Sequence, residues 1–239
     1  MRSDKAHWRV VEGQADDDEA QGPLFFTDRE WRTIEAAAAR IIPTDHDPGA
    51  TEAGVVRFID RYLSGIRFIY AAQKGDGFLE LAGKDAEAWR ARMFDMQRTY
   101  RAGIRQLDEH AREHGGADFV DLDPQRQDDV LVAVSGRARP AAVQLGSAES
   151  AGAFQMGAFD DGLGFFDALI SHTRQGFYSD PIYGGNKDRV GWRVIGFPGP
   201  ESLADTVDGT YSLEDRFLQE YDWAELVPHL ARTTTEKQV

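Results

Sequence analysis

The sequence contains no cysteine, which excludes disulfides, thiolate metal sites, cysteine nucleophiles, iron–sulfur clusters and covalent attachment of c-type haem. Long apolar runs are missing too, since no segment approaches the roughly 20 consecutive apolar residues that a membrane-spanning helix needs. Positive charge is scarce, because 27 Lys and Arg stand against 41 Asp and Glu, for a net charge of −14. Such a surface repels phosphate backbones and anionic headgroups. We therefore expect no nucleic-acid partner and no direct membrane insertion.

Nucleotide-binding and hydrolase motifs are also missing. Gly162 and Gly164 lie in DDGLGFFDAL, without the third glycine and the preceding strand that a dinucleotide-binding turn requires. No Walker-type phosphate loop occurs, and Ser135 and Ser171 lie in no nucleophile-elbow pattern. The sequence therefore predicts no catalytic residue and no cofactor-binding residue in this chain.

The first 23 residues are predicted to form a disordered acidic tail, with Asp16, Asp17, Asp18 and Glu19 in a row. They contain neither the apolar stretch of about 7 to 15 residues that a signal peptide needs nor a twin arginine. We expect a cytoplasmic location, or the periplasmic side of the inner membrane if a signal-bearing partner exports the chain.

The following residues predict an all-α fold, a single helical domain over residues 24–200. In TDREWRTIEAAAARIIP, Thr27 and Glu30 form a capping box and Pro43 ends the helix. EAGVVRFIDRYLSG carries a broad apolar stripe, and DAEAWRARMFDMQRTYRAGIRQLDEHAREHGG gives the longest helical pattern.

Two more helices are predicted further along the chain. Asp123 caps the first of them, and Pro124 occupies its first position. AFDDGLGFFDALISHTRQGF predicts the second, which we expect to end at Gly176. The stretch SGRARPAAVQLGSAESAG, residues 135–152, is expected to connect them as a loop, and residues 201–239 to form a partly helical C-terminal extension.

The segment GFYSDPIYGGNKDRVGWRVIGFPGP has no regular period and is predicted to be a long loop rich in aromatics, glycine and proline. Such a loop could simply cover the helical core. It could also dock on a partner, since aromatic side chains on a stiff loop lose little entropy on binding and dominate interface energies. The candidate partner-binding residues are Phe177, Tyr178, Asp180, Pro181, Tyr183, Gly184, Gly185, Asn186 and Trp192.

One turn offers possible metal ligands, namely Asp45, His46 and Asp47, with Glu52 nearby. However, Asp before Pro-Gly is ordinary turn chemistry, and acids just ahead of a helix interact well with its dipole. We therefore predict no metal ligand here.

Histidines give two further weak signals. His110 and His114 lie four residues apart but lack the intervening glutamate of zinc proteases. His172 could form an acid–base site only with a scattered set of carboxylates whose spacing matches no known mechanism, namely Asp160, Asp161, Asp180 and Asp188. An independent, metal-assisted enzyme and a free-standing helical scaffolding protein remain as alternative functions.

Two stretches carry a family resemblance when taken together: FFTDREWRTIEAAAARIIPTDHDPGATEAGVVRFIDRYL and QGFYSDPIYGGNKDRVGWRVIGFPGP. The GFYSDP, YGGN and W-x-x-IGFPG elements of the second are specific in combination. The chain resembles the gluconate 2-dehydrogenase subunit 3 family, the small subunits of three-part bacterial sugar and polyol dehydrogenases. The resemblance covers roughly residues 24 to 200.

The resemblance implies a non-catalytic partner of a large FAD-dependent, GMC-type dehydrogenase that passes electrons to a multihaem cytochrome c or to quinone. Such small subunits support folding, maturation or export of the flavoprotein. FAD would then lie in the large subunit and haem c in the cytochrome, with no cofactor in this chain. The family supplies no catalytic residues to carry over, and the substrate, electron acceptor and stoichiometry stay open. Family members often carry a twin-arginine signal, where this chain has its acidic segment.

Overall fold

The computed structural model describes residues 9–11, 22–65, 68–71, 78–136, 162–197 and 199. Its helices are α1 (Asp28–Ile41), α2 (Val55–Leu63), α3 (Gly83–Gly115), α4 (Pro124–Ser135), α5 (Phe165–Tyr178) and α6 (Val190–Val194). Short strands are β1 (Arg9–Val11), β2 (Phe68–Ala71) and β3 (Phe78–Glu80), and 3-10 turns cover Phe119–Asp121, Pro181–Tyr183 and Lys187–Arg189. Helices thus dominate the described residues, and the predicted all-α class is confirmed.

The helix starts follow the predicted caps. The Thr27 hydroxyl accepts a hydrogen bond from the Glu30 amide, while the Glu30 carboxylate accepts one from the Thr27 amide. Asp123 caps α4 by accepting from the Arg126 amide, and Pro124 is the first residue of that helix. Both caps satisfy amides that have no partner within the helix.

The end of α5 differs from the prediction, because Gly176 lies inside the helix, which continues to Tyr178. A Cβ at Gly176 would lie 3.1 Å from the side chain of Phe58 on α2. The glycine therefore allows α2 and α5 to pack closely, and it does not serve as a cap. Sequence alone could not distinguish these two uses.

The core lies between five helices. Helix α3 has 33 residues and spans about 50 Å at 1.5 Å per residue. It packs against α4 and α5. Helix α2 lies against α5, and α1 contacts both α2 and α4. Fully buried side chains come from each helix of this group, including Ile34, Ile59, Leu107, Val130 and Leu169.

A tyrosine–histidine pair is enclosed in this core. The Tyr100 hydroxyl and Nδ1 of His172 share a hydrogen bond of 2.8 Å, and both residues are buried at 0% exposure. Their rings stack with an interplanar angle of 13°, and the Tyr62 ring lies 4.8 Å from the imidazole. A buried polar group is tolerated when it is hydrogen-bonded, so this pair fixes how α3 faces α5.

Tyr100→Phe removes that hydroxyl and retains the ring. We expect the free energy of unfolding to fall by about 1 to 2 kcal/mol, because the buried imidazole nitrogen loses its hydrogen bond. Urea denaturation followed by circular dichroism measures the change. Tyr178→Phe, at an exposed position of α5, is the matched control and should change the stability by less than about 0.5 kcal/mol; equal effects of the two changes would argue against a structural hydrogen bond.

Asp60, which is buried on α2, anchors the segment that leads into α1. Its carboxylate accepts hydrogen bonds from the amides of Leu24, Phe25 and Phe26 at 2.7, 3.0 and 2.8 Å. Amides that belong to no helix or strand need such partners when they leave water. Asp60 thereby determines the direction in which the chain enters α1.

A small antiparallel sheet with the order β1-β3-β2 lies beside the helices. The prediction left the region of β2 and β3 unassigned, because its apolar runs are short. Strand β1 lies in the predicted acidic tail, so that prediction is wrong for Arg9–Val11, whose backbone pairs with β3. In the predicted connecting loop at 135–152, Ser135 is the last residue of α4 and Gly136 is the C-cap of that helix. The remainder of this loop, the rest of the predicted tail up to residue 21 and the extension at 201–239 lie outside the described residues. Among the described helices, none combines the length and apolar character required to cross a membrane.

Candidate functional site

The aromatic segment, residues 177–199, begins with the last two residues of α5 and continues, in the part that the structure describes, as short helical turns. The Asp180 carboxylate accepts a hydrogen bond from the Ile182 amide and so caps the turn Pro181–Tyr183. Gly184 ends that turn with a φ of 97°, a conformation that glycine adopts without steric cost. The predicted long loop is therefore a chain of 3-10 turns followed by the five-residue helix α6.

Asn186 holds the segment together from inside. Its side chain is 0% exposed, its amide nitrogen donates to the Ser179 carbonyl, and its amide oxygen accepts from the Gly191 amide, both at 2.8 Å. The backbone amide of Lys187 donates to the Ala53 carbonyl at 2.9 Å. These bonds fix the segment on α5 and on the turn that precedes α2.

Trp192 provides a second internal anchor. Its indole nitrogen donates to the Tyr178 carbonyl at 2.8 Å, and only 5% of the residue is exposed. Phe197 packs edge-on against the indole with ring centroids 5.3 Å apart. The hydrogen bond satisfies a carbonyl at the end of α5, which has no partner within the helix.

Two glycines are required because the segment lies directly on the backbone of α5. A Cβ at Gly185 would lie 2.2 Å from the Gly176 carbonyl oxygen, and one at Gly191 would lie 1.9 Å from the Phe177 carbonyl oxygen. No L side chain fits at such distances. The glycine spacing of the motif therefore reflects close backbone packing.

The nine predicted partner-binding residues fall into three groups. Phe177, Gly185, Asn186 and Trp192 are buried within the chain. Partly buried positions are Asp180, Pro181, Tyr183 and Gly184, and the Tyr183 ring packs 6.0 Å from Phe78 of β3. Tyr178 alone among the nine is exposed, at 42%. The buried members thus support the segment, and binding by Tyr178 and the partly buried members stays a prediction.

The exposed apolar residues of the segment lie further along than predicted. Val194, Ile195 and Phe197 are 37%, 57% and 39% exposed, and with Tyr178 they form what we call the apolar edge. Trp192 and Val194 lie two residues apart on α6, a spacing that places their side chains on opposite sides of a helix, and Ile195 follows as the C-cap residue of α6. The prediction instead assigned binding to Trp192 itself.

The sequence profile of the gluconate 2-dehydrogenase subunit 3 family matches residues 28–199. The chain belongs to this family. Searches of curated proteins and of solved structures found no match. The match begins at the first residue of α1 and reaches the end of the aromatic segment, so every described helix of this subunit 3 chain lies within it. The predicted family is confirmed, and a larger dehydrogenase is the expected partner.

In this subunit 3 chain, the Asp45–Asp47 turn is stabilised by its own hydrogen bonds. The Asp47 amide donates to the Asp45 carboxylate at 2.9 Å, which lowers the pKa of Asp45. Glu52 accepts from the Thr44 hydroxyl and the Gly49 amide, and the hydroxyl bond is the main cause of its lowered pKa. These hydrogen bonds give the two carboxylates a role in the shape of the turn.

The histidines that the sequence singles out lie in two different environments in this subunit 3 chain, one at the surface and one in the core. Ligand atoms of His110, Glu113 and His114 lie within 4.8 Å of one another near the end of α3, as do those of the Asp45–Asp47 turn. Both groups lie at the surface, where ordinary helical or turn spacing brings them together. His172 is enclosed between Tyr62 and Tyr100, so its imidazole offers no access to a substrate.

The carboxylates that could complete an acid–base site with His172 do not surround its imidazole where the structure describes them. Asp180 caps a turn and Asp188 is exposed, while Asp160 and Asp161 lie outside the described residues. The described members therefore do not form a solvent-accessible acid–base site around the histidine.

Proposed function

We propose that this chain is a non-catalytic accessory subunit that docks on the FAD-dependent dehydrogenase subunit of its complex and supports the folding, maturation or export of that subunit. FAD would belong to the partner, and a multihaem cytochrome c would be a further member of the complex. Family membership supports the dehydrogenase partner. The apolar edge supports docking.

One observation carries the docking part of the proposal. The aromatic segment buries and hydrogen-bonds Asn186 and Trp192, yet it leaves aliphatic and aromatic side chains exposed a few residues away. Exposed apolar groups on a fixed backbone bind with little ordering cost. An apolar cluster in this arrangement is typical of the central part of an interface.

Ile195→Glu tests the docking surface, because it places a charge at the most exposed residue of the apolar edge. We expect the dissociation constant for the purified flavoprotein subunit to rise by about 30-fold or more, the scale of an interface hot spot of about 2 kcal/mol. Isothermal titration calorimetry gives this constant, and circular dichroism shows whether the variant is folded.

Arg193→Glu is the matched control, since Arg193 is an exposed neighbour on α6. It changes the charge in the same direction and leaves the apolar edge intact. We expect a change in affinity of less than about threefold for the control. A folded Ile195→Glu protein that binds as tightly as the wild type would refute the proposed docking surface.

A further inference from the structure

Four arginines and one phenylalanine follow each other along one face of α3. Arg90, Phe94, Arg98, Arg101 and Arg105 succeed one another at steps of four, four, three and four residues. Such steps keep side chains on the same side of a helix. The chain as a whole has a net charge of −14, so this arginine stripe is a local reversal of sign.

Two of the four arginines on the stripe have no ion pair among the described residues. Arg101 forms an ion pair with Glu30 of α1, and its guanidinium lies 4.3 Å from the Phe25 ring centroid. Arg98 approaches Asp95 only to 3.9 Å, which contributes little at the surface. In the ranges that the structure describes, Arg90 and Arg105 form no ion pair and are exposed.

A cleft of about 660 Å³ runs beside the stripe. Phe25 and Phe94 contribute aromatic surface to its lining. Arg98, Arg101 and Arg105 contribute three guanidinium groups against the single carboxylate of Asp95. Phe94 is 59% exposed, so its ring is accessible from solvent. The cleft therefore offers apolar contact and positive charge together.

The size and charge of the surface indicate its occupant. The stripe extends about 22 Å along the helix axis, a length that suits one helix or one extended segment of a protein. Guanidinium groups bind carboxylates in a two-pronged geometry. Nucleic acid and anionic membranes are extended polyanions, which the surrounding negative charge of this chain repels.

We propose that the arginine stripe binds an acidic segment of the dehydrogenase subunit, with carboxylates at Arg98 and Arg105 and an apolar side chain against Phe94. This inference rests on the proposed function, and it adds a second, electrostatic contact to the apolar edge. Charge pairing of this kind accelerates association and sets the orientation of the two proteins.

The test is the double change Arg98→Glu and Arg105→Glu in the full chain, titrated with the purified flavoprotein subunit. Both side chains are exposed, so the fold should be retained, as circular dichroism can show. At about 50 mM salt we expect the dissociation constant to rise about tenfold or more, and at about 500 mM salt the difference should shrink because screening weakens charge pairing.

The double change Arg32→Glu and Arg126→Glu is the control, because both residues are exposed on other helices and the net charge changes equally. Retained affinity of the control supports the stripe. If the control variant binds the flavoprotein subunit as weakly as the stripe variant does, net charge alone accounts for the loss of affinity and the proposal is overturned.

Other outcomes separate this inference from the proposed function. If Ile195→Glu weakens binding and the stripe variant binds normally, the accessory function stands and the stripe is overturned. If the wild-type chain fails to bind the flavoprotein subunit, both are overturned. Binding of the wild type to phosphatidylglycerol vesicles, lost in the stripe variant while flavoprotein binding is unchanged, would make the occupant a lipid surface and overturn the proposal.

The chain's own acidic residues at 16–19 are a further possible occupant, since they precede Phe25 by a few residues. Changing these four residues to Asn and Gln distinguishes this case. Unchanged affinity for the flavoprotein subunit supports the proposal, whereas a tenfold or greater gain, on the order expected from removal of a tethered competitor, would assign the stripe to this segment.

Discussion

Asp60→Ala is expected to lower the free energy of unfolding by about 3 kcal/mol or more, because three backbone amides lose a charged acceptor at once. One of them, the Phe26 amide, belongs to a buried residue and cannot turn to water. The segment before α1 would lose its attachment to α2. Urea denaturation of the wild type and the variant, with comparison of both midpoint and slope, measures this effect.

Asp60→Asn is the graded control for this prediction. The amide oxygen of asparagine can still accept, but the side chain has lost its charge and one acceptor oxygen. We expect a loss of stability between those of the wild type and the alanine variant. An alanine variant as stable as the wild type would show that these amides find other partners.

Gly191→Ala is expected to lower the free energy of unfolding by at least about 3 kcal/mol, which is at or above the upper end of the range for overpacked cores. The added methyl group would lie 1.9 Å from the carbonyl oxygen of Phe177. This oxygen belongs to the backbone of the last turn of α5 and cannot rotate away as a side chain can, so the aromatic segment must shift away from α5. Thermal and urea unfolding measure the loss, and binding to the flavoprotein subunit should weaken with it.

Gly164→Ala is the matched control, because no atom lies within 4 Å of the added group and φ at Gly164 is −68°. Its effect should stay below about 1 kcal/mol, the range for a change at a helix N-cap. If Gly191→Ala and Gly164→Ala unfold at the same temperature and urea concentration, the close approach of Gly191 to α5 does not govern stability.

Local signals in the sequence were sufficient for most helix boundaries. The capping box of Thr27 and Glu30 and the Asp123–Pro124 start depend only on residues within one turn, so sequence spacing predicts them. Gly176 shows the limit of that approach. Its role depends on Phe58, which is far away along the chain, and glycine is compatible with both a helix end and a close helix contact.

Long-range partners account for what the sequence did not predict. The bonds from Asp60 to the amides of Leu24, Phe25 and Phe26 span 34 to 36 residues. Strand β1 pairs with β3 across an even longer separation, and each strand is too short to show a period. No local pattern encodes such contacts.

Partner binding by the aromatic segment stays a prediction, but the structure shows which of its side chains are exposed. Aromatic and glycine content alone does not separate close packing from binding, because it is typical of both. Which aromatic residues are exposed depends on how the segment folds back on α5. Trp192 is held inward by its bond to the Tyr178 carbonyl, whereas Ile195 is exposed.

The internal bonding of the aromatic segment separates two tasks that many binding loops combine. Asn186 and Trp192 maintain the shape, while Val194, Ile195 and Phe197 are exposed. Under the proposed docking function, exchange of these three outward side chains would change the preferred enzyme and leave the internal bonds intact. Its recognition can therefore diversify without a new backbone.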